Sequence, residues 1–285
     1  MNFSFIKRFT LAAGAGGFAL LASAQQTPSP PAAFEVVSIK PVSTVTAGTG
    51  ARGAALGATT TLPATCSRTG RRVSPGQFRV ASASVYGLIV MAYNKNCLLI
   101  SGGPQWTRSD TYEVVATLPT GSPFYGSRQL ENGNAPKLQE MIRTLLAERF
   151  KLSFHTELRE MAVYNLVVSK RGRNIVPSSD QDAPDFAERS SVIQPCRPPA
   201  TCATVTSLST LGDLWSAVLG RPIVDRTNLK GVYDVVVNYD PDVLDSDPIG
   251  ARIAAIEDQL GLKLTPARSS VEVIVIDAAA RPAAN

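Results

Sequence analysis

The sequence predicts an α+β protein made of two duplicated modules, each with two helices packed on a small mixed β-sheet, with long irregular loops between elements. Three observations predict it. Residues 220–239, GRPIVDRTNLKGVYDVVVNY, hold two β-rich runs around a polar turn containing Thr227, Asn228, Lys230 and Gly231, which reads as a hairpin-like element between two helices. Residues 98–118 repeat that grammar, with LLISG, then GPQWTRSD, then TYEVVATL. At a constant offset of 110 residues, Leu146, Phe150, Leu152, Phe154 and Val163 fall on Ile256, Leu260, Leu262, Leu264 and Val273. Apolar matches held across a change from helical to strand period point to an internal duplication.

Taken in order, residues 1–24 carry Lys7 and Arg8, an apolar run, and Ala22-Ser23-Ala24 at the positions a signal peptidase reads. The run is shorter than the roughly 20 residues a membrane span needs, so a cleaved secretory signal is expected, and no transmembrane span after cleavage. Residues 25–33 are a Pro-rich tether. The first module is placed at 34–175. It begins with the strand-like FEVVSIKP, stopped by Pro41, and then carries a loop insertion at 43–76, rich in Gly, Ala and Thr and without apolar period. A short strand at 77–81 precedes a helix whose face is Val85, Leu88, Ile89, Ala92 and Tyr93. A second helix shows Leu138, Ile142, Leu145 and Leu146, with two strands after it.

Residues 176–207, rich in Pro, Ser and Asp, read as the inter-module linker. The second module, 208–285, repeats the pattern. Its first helix shows Leu211, Leu214, Trp215, Val218 and Leu219, and its second shows Ile249, Ile253, Ile256 and Leu260.

The four cysteines allow three pairings in an oxidising compartment. Cys196 and Cys202 bracket Arg-Pro-Pro-Ala-Thr, and pairing across that short loop is the preferred reading, which by elimination leaves Cys66 for Cys97. A metal site is the rival reading, but the chain has no C-x-x-C spacing and one histidine. Charge excludes another class. Two of the 28 basic residues lie in the signal and none of the 23 acidic ones, so the mature excess of base is small. The clusters at Arg68, Arg71, Arg72 and at Lys170, Arg171, Arg173 lack interleaved aromatics, and no nucleic acid partner is expected.

Several long motifs carry a family resemblance. Gly102-Gly103-Pro104-x-Trp106 with Tyr112-x-Val114-Val115, then LLAERFKLSFHTELREMAVYNLVV, LGRPIVDRTNLKGVYD, and finally QLGLKL with VEVIVID, resemble a soil-associated family of uncharacterised secreted bacterial proteins. The resemblance runs from about Phe34 to the C-terminus. It implies sensing or partner binding outside the membrane, since the domain can occur fused to membrane-embedded metallopeptidases of the antibiotic-sensor type. Where many members carry His after the final V-I-D, this chain has Ala278. The element order is also similar, more distantly, to the short N-terminal domain of secretins and TonB-dependent receptors.

Catalytic motifs are absent after the expected signal: there is no G-x-S-x-G, S-x-x-K, H-E-x-x-H or P-loop, and the one S-x-x-K in the chain, Ser4 to Lys7, lies in the signal itself. His155 should sit on the exposed face of KLSFHTEL, with Glu157 on the same face and no nucleophile assignable to it. Asp240, Asp242, Asp245 and Asp247 form an oxygen-rich cluster without the glycine and terminal Glu of an EF-hand, and read as a solvated connector. Asp225 and Asp234 read as turn-building residues before they read as an acid–base pair. Trp106 and Trp215 read as core or turn anchors. We therefore expect no catalytic, cofactor or metal residues. The expected function is recognition or sensing of a protein or envelope component by a periplasmic or secreted chain. The alternatives are a hydrolase or other enzyme of unrecognised type and a small-ligand carrier using the groove between modules.

Overall fold

Helix caps and strand periods in this chain are written locally, and they set the elements. A computed structural model describes residues 32–42, 66, 68–178 and 200–283. The expected signal at 1–24, nearly all of the tether, most of the loop insertion, and Cys196 with the middle of the expected linker lie outside the described residues.

The first half contains β1 (Val36–Pro41), β2 (Arg68–Thr69), β3 (Arg72–Ser74), β4 (Gln77–Ala83), α1 (Val85–Tyr93), β5 (Ile100–Gly102), α2 (Trp106–Ser109), β6 (Tyr112–Thr117), α3 (Ser127–Glu131), α4 (Pro136–Arg149) and β7 (Ser153–Val168). The second contains β8 (Val176–Pro177), β9 (Ala200–Thr206), α5 (Leu208–Leu219), β10 (Ile223–Asp225), β11 (Tyr233–Asn238), α6 (Pro241–Ser246), α7 (Pro248–Leu260) and β12 (Leu262–Ala278). Ser84 opens α1 by accepting the Gly87 N–H, and Ser207 opens α5 by accepting that of Thr210, so each helix starts on a satisfied donor. Asn94 and Gly220 close them in the left-handed region. Pro136 and Pro248 open α4 and α7 in their first turns, where a missing N–H costs nothing.

The chain is α+β, with the strands in three sheets. One sheet runs β1-β6-β4-β2, with β3 also on β4, and all its pairs are antiparallel. Another runs β8-β11-β9. The third, β10-β7-β12-β5, joins the halves: β7 and β12 pair antiparallel along nearly their whole lengths, from Leu262 opposite Val168 to Ala278 opposite Ser153. The two half-cores are consequently interlocked. Ile274 and Ile276 of β12 complete the first core, with Leu88, Ile89, Leu138, Ile142 and Phe150. Tyr164 and Leu166 of β7 complete the second, with Leu211, Trp215, Val235 and Ile256.

The wiring of the halves corresponds in register. Ala83 faces Tyr112 and Val80 faces Val114 across an irregularity; Thr206 faces Tyr233 and Ala203 faces Val235 across another. Pro41 lies opposite Tyr112 as Pro177 lies opposite Tyr233. Ile100 pairs with Ile274 of β12, and Ile223 pairs with Tyr164 of β7.

Several expectations are corrected. The stretch 220–239 is not a hairpin: β10 joins the sheet of β7, whereas β11 joins that of β8 and β9. Residues 98–118 divide likewise between β5 and β6. The polar turn is too long and too strongly self-bonded to fold the strands onto each other. The two strands expected after α4 are one sixteen-residue strand, because 153–163 contains no Gly, Pro, Asn or Asp to turn the chain. Both ends of the expected linker are strands, β8 and β9, since Val176 and residues 200–206 pair with β11. The end of the loop insertion forms β2 and β3 against β4. The acidic connector contains the short helix α6. The described residues cluster as one compact unit, which fits strands shared between the halves. No helix among the described residues is long and apolar enough to cross a membrane.

Candidate functional site

Between the two cores, β7 and β12 run as a two-stranded ribbon. Buried positions stop at Val163 on β7 and Leu264 on β12 and resume at Val273, and Thr156, Glu157, Leu158, Arg159 and Glu160 are all exposed. Among the described residues no side chain of that stretch is buried, and only Met161 of β7 and Thr265, Ala267, Ser269 and Val271 of β12 are half-buried. Leu158 stands 75% exposed, the most exposed large apolar side chain among the described residues, and it is flanked by an ion pair in which the Arg159 guanidinium grips Glu157, with Nε at 3.0 Å from Oε1.

His155 lies at the first-half end of the ribbon. Its Nδ1 is 2.8 Å from Oδ1 of Asp277, not on Glu157, which Arg159 occupies. The irregularity between Ile276 and Ala278 sets Asp277 beside the ring. Sequence reasoning missed this partner because it lies 122 residues away and depends on β7 pairing with β12. A carboxylate on one ring nitrogen orients the imidazole, which is half of what a base needs. Nearby, Phe154 meets the Tyr93 ring edge to face at 5.1 Å, and Lys95 reaches Glu272 of β12 at 2.6 Å. Burial pushes the Tyr93 hydroxyl above its ordinary pKa of 10.0, against the pull of Arg143.

The other carboxylates do not converge. Asp225 Oδ1 accepts from the Thr227 N–H at 2.8 Å and its hydroxyl at 2.7 Å, and Thr227 Oγ1 accepts from Leu229 N–H at 3.1 Å, a self-contained turn. Asp234 sits on β11, in a different sheet, opposite Val176. Asp240 caps α6 through the Asp242 N–H and Asp247 caps α7 through that of Gly250, while Asp242 and Asp245 face solvent. Among the described residues no group of His, Cys, Asp and Glu could hold a metal ion.

Trp215 is buried in the second core. Trp106 packs on the first core beneath the Arg281 guanidinium, 5.1 Å from its ring, and Arg281 also bonds Asp110. Of the basic clusters, Arg71 is paired with Glu131 and Arg171 with Asp258. Cys66 is bonded to Cys97, whose Cα lies 6.1 Å away. Cys202 lies on β9, and its pairing with Cys196 falls outside the described residues.

No curated protein and no solved structure matches the chain. A family described as proteins of unknown function, DUF3738, matches residues 86–279, from the start of α1 to the end of β12. The interlocked strands and the ribbon between them fall inside that span, and the chain therefore belongs to the DUF3738 family.

Proposed function

We propose that this chain is an exported, non-enzymatic recognition protein that binds a protein partner of the cell envelope through the β7/β12 ribbon. The observation that carries the reading is the exposed stretch of β7 at 155–160, which has an exposed apolar side chain near its centre and, among the described residues, no strand on its outer edge. An unpaired strand edge offers a row of backbone donors and acceptors to an incoming strand, and alternate side chains give it specificity. The basic and apolar start of the sequence, ending in Ala22-Ser23-Ala24, supports export.

A photo-reactive residue placed at position 158 in cells tests the reading. The expected result is a defined protein adduct, lost when Thr156→Pro blocks the edge, on a chain whose intact mass starts at Gln25. The second reading, a hydrolase, is favoured by the His155–Asp277 pair alone. A turnover abolished by both His155→Gln and Asp277→Asn, with Tm unchanged, would overturn the recognition reading.

A further inference from the structure

β10 shows which backbone groups of β7 face outward. Tyr164 N–H donates to Pro222 O at 2.9 Å, and Leu166 O accepts from Arg226 N–H at 2.8 Å, so even-numbered residues direct their groups away from β12. The register of β7 on β12 is unbroken from Leu166 down to Phe154. Residues 162, 160, 158, 156 and 154 therefore present their N–H and C=O to the free edge.

The side chains around that edge are self-complementary. When two copies of β7 are laid antiparallel with Leu158 opposite itself, Glu157 faces the partner's Arg159 on each side of the two-fold axis. Thr156 then faces the partner's Glu160, and His155 the partner's Met161. No like charges oppose each other, and the outward-facing Leu158 pair sits at the centre of the backbone ladder. The corresponding edge of β12 is closed to such pairing. Pro266 stands where Thr156 stands in β7, and because Tyr164 opposite it directs its groups outward, the donor that proline lacks is on the outer edge. Arg268 replaces Leu158, and Lys95 lies against Glu272.

We propose that the β7 edge pairs with the same edge of a second copy of this chain, antiparallel and centred on Leu158, to form a two-fold dimer. The proposal rests on the ribbon being a recognition surface and names its partner. A two-fold interface requires one patch that complements itself, which the Glu157-Leu158-Arg159 sequence provides.

Sedimentation equilibrium of the purified protein tests it. The wild type should dimerise, and Thr156→Pro, which copies the other edge, should be monomeric with unchanged Tm. Glu157→Arg alone should weaken the dimer about tenfold by opposing like charges, and adding Arg159→Glu should restore it. Both charge changes are on exposed side chains, so the test stands even if Thr156→Pro does not fold. A wild type that stays monomeric at all concentrations, or a dimer indifferent to these variants, overturns the proposal. A monomer whose residue 158 cross-links to a different protein rejects the dimer and keeps the recognition reading. A dimer without any envelope adduct keeps the dimer and rejects the envelope partner, and neither product rejects both.

Discussion

β7 and β12 hold equivalent places in the two halves. Val163, Tyr164 and Leu166 are buried as Val273, Ile274 and Ile276 are, at an offset of 110 residues, and each strand donates its C-terminal end to the core of the other half. Their free edges differ: Thr156 and Leu158 on one correspond to Pro266 and Arg268 on the other. The starts differ too, where Lys151 and Gly261 both take positive φ. Packing holds the buried ends of the two strands alike because each fills a closed core. Among the described residues the stretch of β7 between them is exposed, so edge chemistry is free to diverge there. One edge is protected against strand addition and the other is open.

The largest effect should come from breaking the exchange. Leu166→Ala removes a fully buried first-half side chain from the second-half core and should cost about 2–5 kcal/mol. Ile276→Ala should act reciprocally on the first core. Hydrogen exchange of the slowest amides in α1 and α5 reads both halves at once, and either variant should lower protection in both together. Loss of protection confined to one half would show that the halves unfold separately.

The disulfide belongs to the first half. Cys66 and Cys97 close a loop of 31 residues, so the double variant Cys66→Ala, Cys97→Ala should lose about 3–4 kcal/mol on the loop-entropy account. Denaturant unfolding of that variant checks it, and a loss below about 1 kcal/mol would mean the loop is already held by β2 and β3 against β4.

Next come the strand starts. Gly261 has φ +65° and an added Cβ would fall 2.0 Å from the Gly172 carbonyl oxygen, so Gly261→Ala should cost at least about 1–3 kcal/mol. Lys151, at φ +48°, already bears the backbone cost, and Lys151→Gly should gain up to about 1 kcal/mol. Gly231 at φ +91° places Gly231→Val in the same range of loss, about 1–3 kcal/mol. Thermal melts of the three variants give opposite signs if the equivalence of Lys151 and Gly261 is correct.

The apolar faces of α1, α4, α5 and α7 were legible because a helical period is set by residues a few places apart. The apolar offset that links Val163 to Val273 was legible for the same reason, as side-chain period is local. Sheet membership was not. β10 and β11 read as a hairpin because both are short apolar runs flanking a polar turn, yet the turn is closed by the Asp225 carboxylate on Thr227 and sends the chain to another sheet. His155 was correctly read as exposed, but Asp277 reaches it only through a pairing between strands more than a hundred residues apart, which no local pattern encodes. The open edge of β7 became visible once β10 fixed which residues face outward.

The smallest expected effect is on the alkaline stability of the first half. Tyr86, Tyr93 and Tyr112 all belong to the first half, and burial raises the hydroxyl pKa of each above 10.0; the Asp110 charge adds to the rise at Tyr112, while Arg108 lowers that of Tyr86 and Arg143 that of Tyr93. A raised pKa means that the folded protein holds its protons where the unfolded chain has begun to release them. The associated stability is complete below about pH 10 and is lost as pH rises toward the folded-state values. Within that window each such tyrosine steepens the fall of unfolding free energy by at most about 1.4 kcal/mol per pH unit. Tyr93→Phe with Tyr112→Phe should flatten the alkaline limb of a plot of stability against pH by up to two protons' worth, while the limb below pH 9 keeps its slope. Both rings are partnered in packing, Tyr93 by Phe154 and Tyr112 by Phe150, and phenylalanine retains those contacts. An alkaline limb unchanged in the double variant would place the titrating groups elsewhere than on Tyr93 and Tyr112.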